Sequence, residues 1–86
     1  MEPMISLVIA TLDKLLVEDD VEEVIAPGTE GYFGVLSGHC CFITTLKAGI
    51  VQYRRSGQME TLEIKGGFAD VKPTGVTILA ETEQPI

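Results

Sequence analysis

An all-β fold, built as an antiparallel sandwich or barrel, is what this 86-residue sequence predicts. Three observations lead there. Apolar residues recur mainly with period 2, the spacing of a strand with one buried face. Turn-forming residues interrupt those runs at short intervals. No segment sustains the 3.6-residue apolar stripe of an amphipathic helix. Many short strands joined by tight turns close best as a sandwich or barrel.

The elements follow in order. "MISLVIA", residues 4–10, reads as a first strand. "KLLVEDDVEEVIA", residues 14–26, reads as one longer strand. Its apolar positions change phase through the acidic middle, which predicts a bulge or bend there. "PGTEGYFGVLSGH", residues 27–39, reads as a loop containing Gly28, Gly31, Gly34 and Gly38, with the glycines of residues 28–34 as positive-φ turn positions. "CFITTLK" is a strand that breaks at Ala48 and Gly49. "IVQYRR" and "METLEIK" flank Ser56–Gly57–Gln58, a hairpin turn. Lys65–Gly66–Gly67 is a kink between strands. "GFADVK" and "VTILAE" flank Pro73–Thr74–Gly75, a second tight turn. Leu62, Ile64, Val76, Ile78 and Ala80 alternate so as to line a core. "FITTL" and "VTILA" are apolar at both parities, and a domain this small cannot bury both faces of each strand, so a second sheet or a partner protein must cover the remainder.

Length and charge narrow the function. Eighty-six residues make one domain. Acidic residues outnumber basic ones 13 to 6, and Arg54–Arg55 is the one pair of adjacent basic residues. Nucleic acids and anionic lipid surfaces attract clustered Lys and Arg, so neither is an expected ligand. No apolar run approaches the ~20 residues that span a bilayer. The N-terminus lacks the basic region and cleavage site of a signal peptide, and the two cysteines do not form a disulfide framework, so a reducing, cytosolic setting is expected.

Four stretches carry residue types that could do chemistry. "HCC", His39–Cys40–Cys41, offers too few ligands for a structural zinc site, and adjacent strand residues point to opposite faces. A Cys–His nucleophile pair needs hydrogen-bond geometry that sequence neighbours rarely reach. The acidic run "EDDVEEV", residues 18–24, lacks the spaced oxygen ligands and central Gly of an EF-hand, and reads as a solvated strand edge. "GTEGYFG", residues 28–34, lacks the Lys–Ser/Thr and the helix N-terminus of a phosphate loop. "KGG", residues 65–67, is not an anion cradle. No catalytic, cofactor-binding or metal-binding residue is expected. Composition and pattern alone describe a small, acidic, all-β interaction module.

The spacing in "PGTEGYFGVLSGHCCFITTLKAG" resembles the epsilon subunit of F-type, proton-translocating ATP synthases. Gly28, Gly31, Gly34, Gly38, His39, Leu46 and Gly49 stand in that family's places. A second motif, "IKGGFADVKPTGVTILAET", matches its Gly-Gly pair, apolar strand, Pro/Gly turn and terminal Ala-(Asp/Glu)-Thr strand through Gly66, Gly67, Val71, Val76, Thr77, Leu79, Ala80, Glu81 and Thr82. The sequence departs from the family in carrying Ser37 and Cys41 where Pro is frequent, so "HCC" takes the place of the family's His-x-Pro. Family members usually continue into a two-helix hairpin that restrains ATP hydrolysis and in some members binds ATP. This sequence stops at Ile86, so neither property is expected of these residues.

The resemblance implies a flattened antiparallel β-sandwich of about eight to ten short strands over residues 1–82, with residues 83–86 as a tail. It implies a non-catalytic central-stalk subunit without a cofactor, linking the gamma subunit to the membrane c-ring and helping couple proton translocation to ATP synthesis. That places it peripherally on the cytoplasmic face of an energy-transducing membrane, a bacterial inner membrane or the stromal face of a thylakoid. Glu30 and Tyr32 match the c-ring-facing turn, with Tyr32 where some members carry an acid. Thr11, His39 and Thr44 match the gamma-facing side. Two other readings stand beside it. One is a thiol or metal protein centred on His39–Cys40–Cys41. The other is a generic small β-sandwich interaction or ligand-binding module, which the absence of Trp and the presence of only two Tyr disfavour for carbohydrate.

Overall fold

The computed structural model describes residues 4–36 and 41–82. Nine strands are present among them: β1 Ile5–Ala10, β2 Leu15–Val21, β3 Glu23–Gly28, β4 Gly31–Val35, β5 Phe42–Leu46, β6 Gly49–Arg55, β7 Gln58–Ile64, β8 Gly66–Lys72 and β9 Gly75–Glu81. Hydrogen bonding runs continuously in the order β2-β1-β9-β8-β5-β3-β6-β7, with β4 attached to β3. That sheet folds over where β5 meets β3. One layer is then β2-β1-β9-β8-β5 and the other β4-β3-β6-β7. The body measures 41 × 25 × 18 Å, the flattened shape of two thin layers face to face.

Period-2 patterning explains which side each strand buries. Ile5, Leu7 and Ile9 of β1 are sealed between the layers, as are Val76, Ile78 and Ala80 of β9 and Ala69 and Val71 of β8. Val24 and Ala26 of β3, Val35 of β4, Val51 and Tyr53 of β6 and Ile64 of β7 oppose them, with Leu62 packed at the margin. Among the described residues no polar or charged residue is buried. Cohesion therefore comes from apolar burial and the backbone ladders, at roughly 1.5–3 kcal/mol for each large aliphatic side chain removed from water.

The structure corrects four expectations. The run 14–26 is two strands: at Glu22 the chain leaves the first layer and enters the second. Its change of apolar phase marks a change of sheet, and the Glu22 N–H donates to Arg54 O at 2.8 Å. The span 27–39 is not all loop, because β4 pairs with β3 from Val24↔Val35 to Gly28↔Gly31. Its alternation was hidden by Gly34 on the outer face, where no side chain marks the parity. Of Gly28, Gly31 and Gly34, only Gly31 has positive φ, at 134°; Gly38 lies outside the described residues. Gly28 serves close packing instead: a Cβ there would lie 2.9 Å from Gly31 O. Finally, the sheet is not wholly antiparallel. β1 and β9 run parallel, with Leu7 opposite Val76 and Ile9 opposite Ile78.

The Ser56–Gly57 hairpin has positive φ at both residues (53° and 80°), the primed turn that suits strand twist. Residues 18–21 of the acidic run lie on β2, which ends the sheet, as a solvated edge should, whereas Glu23 and buried Val24 belong to β3 inside the other layer. The run also fastens the sandwich. Arg55 at the end of β6 donates to Asp19 of β2 at 2.6 Å, bridging the layers on their open side, and Arg54 pairs with Glu23 at 2.8 Å.

The Arg55 hydrogen bond, then the Asp20 backbone N–H, hold the Asp19 carboxyl below its ordinary pKa. A carboxyl that ionises more readily when folded stabilises the fold above its unfolded pKa of about 3.9. That contribution disappears as pH falls through the lower folded value. Asp19→Asn is accordingly expected to flatten the dependence of stability on pH below about 4, while leaving the slope near pH 7 unchanged. Urea unfolding between pH 2 and 7 checks this; identical curves for the two proteins would show that the Asp19–Arg55 bridge stores no pH-dependent stability.

Candidate functional site

Outward-facing residues of the five-stranded layer form rows across its strands. The ladder registers place Thr45, Phe68, Leu79, Ala10 and Leu15 side by side, from β5 through β8, β9 and β1 to β2. Phe68 and Leu15 are 45% and 54% exposed, too open for core residues and too apolar for an ordinary outer face. The next row is Ile43, Asp70, Thr77, Val8 and Glu18, in which Ile43 is 72% exposed. Beyond β1, Leu12 stands 92% exposed beside Asp13, Glu81 and Thr82. The result is an apolar row with carboxylates on both borders: Asp70 and Glu18 on one, Glu81 and Asp13 on the other.

The outer face of the four-stranded layer differs. Its rows run Ile25, Gln52, Thr61 and Glu23, Arg54, Met59, polar and apolar mixed. Tyr32, Pro27 and Ile50 meet near the turn on this face, but among the described residues the apolar row that crosses four strands, Phe68–Leu79–Ala10–Leu15, lies on the first layer.

A second candidate surface lies at the β3–β4 turn. Thr29 and Glu30 form its exposed tip between Gly28 and Gly31. The turn is held from both layers. Toward β5, Thr29 N–H donates to Thr45 O at 3.1 Å, Lys47 N–H donates to Pro27 O at 2.9 Å, and the Thr29 and Thr45 hydroxyls share a hydrogen bond at 3.0 Å. Toward β6, the Tyr32 phenol accepts the Ile50 N–H at 3.2 Å.

The residues anticipated from sequence fall in different places. Glu30 and Tyr32 share the turn, Glu30 pointing free and Tyr32 leaning on β6. Thr11 lies between β1 and β2, at the end of the apolar row; its Oγ1 accepts the backbone N–H groups of Asp13 and Lys14 and shapes that turn. Thr44 opposes buried Ala69 and shares the inward parity of Leu46, so its neighbours Ile43 and Thr45 occupy the outer face instead. His39 and Cys40 lie outside the described residues. Cys41 is exposed with a free thiol. Among the described residues no group of three or more His, Cys, Asp or Glu is gathered as a metal would require.

The apolar row itself was only half visible beforehand. Phe68 and Leu79 carried the signal as apolar residues at the second parity of their strands. Ala10 and Leu15 carried none, because their place in the row depends on β1 lying parallel to β9.

Residues 4–85 match the family model described as ATP synthase, Delta/Epsilon chain, beta-sandwich domain. The ATP synthase epsilon chain of Desulforapulum autotrophicum is 44% identical over 81 residues, covering 93% of this chain and 60% of that protein. The ATP synthase epsilon chain of Caulobacter vibrioides is 48% identical over 69 residues, covering 80% of each. A chain in the Euglena gracilis mitochondrial ATP synthase structure (OSCP/F1/c-ring, rotational state 1) superposes with a TM-score of 0.83 at 30% identity, over 90% of this chain and half of that one. The epsilon chains of Desulforapulum autotrophicum, Desulfatibacillum aliphaticivorans and Nitratidesulfovibrio vulgaris are longer, and the chain spans about 60% of their length.

Proposed function

The chain belongs to the ATP synthase delta/epsilon-chain β-sandwich family, and from that premise we propose that it is a non-catalytic central-stalk subunit that joins the gamma subunit to the c-ring. The observation that carries the reading is the carboxylate-bordered apolar row Phe68–Leu79–Ala10–Leu15 on one layer, with the Glu30 turn beyond its Thr45 end. Two surfaces of different chemistry suit two partners. The apolar row suits a protein that packs closely and permanently, as gamma must if the pair is to turn together. The turn, with the acid Glu30 on its exposed tip and Tyr32 behind it in β4, suits polar loops such as those of the c-ring.

Coupling rotation to ATP synthesis asks for stiffness rather than chemistry. A close-packed apolar core between two hydrogen-bonded layers transmits strain with little deformation. In this reading the protein works peripherally, on the cytoplasmic face of the membrane that carries the c-ring, and needs no cofactor.

The test is a titration of the chain against purified gamma subunit, and separately against gamma assembled with the c-ring. Submicromolar binding to gamma alone, strengthened by the c-ring, is the expected result. Absence of binding to both would overturn the reading.

A further inference from the structure

We propose that Tyr32, Thr29 and Thr45 are positioning residues: they form two struts that fix the Glu30 turn relative to the apolar row, so that load applied at the turn reaches the row without bending the β3–β4 hairpin. This rests on the stalk reading above and specifies how its two surfaces are joined.

The hairpin needs such help. β4 pairs with no strand but β3 among the described residues. β3 in turn pairs with β6 only over Glu23–Ile25, and with β5 through the single pair Gly28↔Leu46. Pro27 has no N–H to add to either ladder. A two-stranded ribbon held so sparsely at its tip twists readily.

The struts act at that tip. The first is the Thr29–Thr45 hydroxyl pair, reinforced by the Thr29 N–H to Thr45 O bond. Its far end matters, because Thr45 begins the row that continues as Phe68, Leu79, Ala10 and Leu15. The second strut is Tyr32. Its hydroxyl is occupied by Ile50 N–H, and it lies so close to Gly49 that a Cβ there would come within 2.7 Å of the phenol oxygen and 2.8 Å of Pro27 Cβ. Gly49 is thus the seat of the ring. One strut reaches each layer, and two supports on different layers resist twist in a way one cannot. Tyr32 therefore serves this turn by bracing Glu30.

The paired change Tyr32→Phe with Thr29→Val removes both side-chain hydrogen bonds and keeps the ring, the branched side chain and all backbone bonds. Three quantities are read: amide exchange of the chain, affinity for gamma, and the ratio of ATP-driven proton pumping to ATP hydrolysis in vesicles carrying the enzyme rebuilt with the variant. Exchange at the Thr29 and Ile50 amides should quicken roughly fivefold each. Gamma affinity should stay within about twofold, since the row is untouched, and the pumping ratio should fall. Thr29→Ser, which keeps a hydroxyl, should restore the first strut. Faster exchange with an unchanged pumping ratio would overturn the struts and leave the stalk reading intact. Unchanged exchange would overturn them at the structural level. Failure of the unaltered chain to bind gamma would remove the stalk reading and the struts with it.

Discussion

Gly67→Ala is expected to cost this protein about 3 kcal/mol or more of folding stability, enough to leave a large fraction unfolded near 37 °C. Gly67 stands just after the chain crosses from β7 into β8, with φ at 140°. Its backbone presses on β9, opposite Ala80. A Cβ there would lie 2.1 Å from Leu79 O and 3.0 Å from Ala80 Cα. Both are backbone atoms of a central strand, so nothing flexible can move aside. Relief requires opening the β8–β9 ladder, which also carries Leu79 and Phe68 of the apolar row. For a domain of this size such a loss lowers Tm by about 12 °C or more. Gly57→Ala supplies the contrast. Its φ is 80°, but no atom lies within 4 Å of the added methyl, so the cost is the backbone strain alone, about 1 kcal/mol. Thermal and urea unfolding of both variants separate collision from strain. Equal losses would show that β9 yields to Gly67 without cost.

Phe68→Glu is expected to weaken binding to the gamma subunit about 100-fold, or ~2.7 kcal/mol, while shifting the stability of the free chain by about 1 kcal/mol or less. Phe68 is the largest side chain of the row and remains half exposed, so the free fold depends little on it. Covered by a partner, the same position would bury an unpaired carboxylate beside Asp70, two residues along the same face of β8. Ile43→Glu should act in the same direction with a smaller effect, because Ile43 stands outside the central row. Thr61→Glu, exposed on the outer face of the other layer, should leave gamma affinity unchanged. Titration of gamma with each folded variant reads the result. Equal affinities for Phe68→Glu and the unaltered chain would place the gamma contact elsewhere.

Local pattern carried most of the strand assignments. β6–β7 and β8–β9 were legible because each hairpin states its own register: a two-residue turn, with apolar residues alternating on either side. The family was legible too, since glycines and small residues at fixed spacing record close backbone approaches that few folds need. The candidate surfaces were less so. Glu30 and Tyr32 could be placed together from sequence, being neighbours in one turn. Thr44 could not be given its inward parity, and Leu15 could not be joined to Phe68, because no local signal links residues separated by five intervening strands along the chain.

What the sequence determined by itself was the class of fold, the hairpins and the family, all of which rest on contacts between residues close along the chain or on spacing within a motif. Only the tertiary structure decided that residues 14–26 serve two layers, that β1 runs parallel to β9, and that the Tyr32 hydroxyl accepts the Ile50 N–H. The physical reason is one of range. Period and turn chemistry act over a few residues, whereas strand order follows from which arrangement buries the apolar faces of all nine strands at once. The row Phe68–Leu79–Ala10–Leu15 exists only after that choice is made.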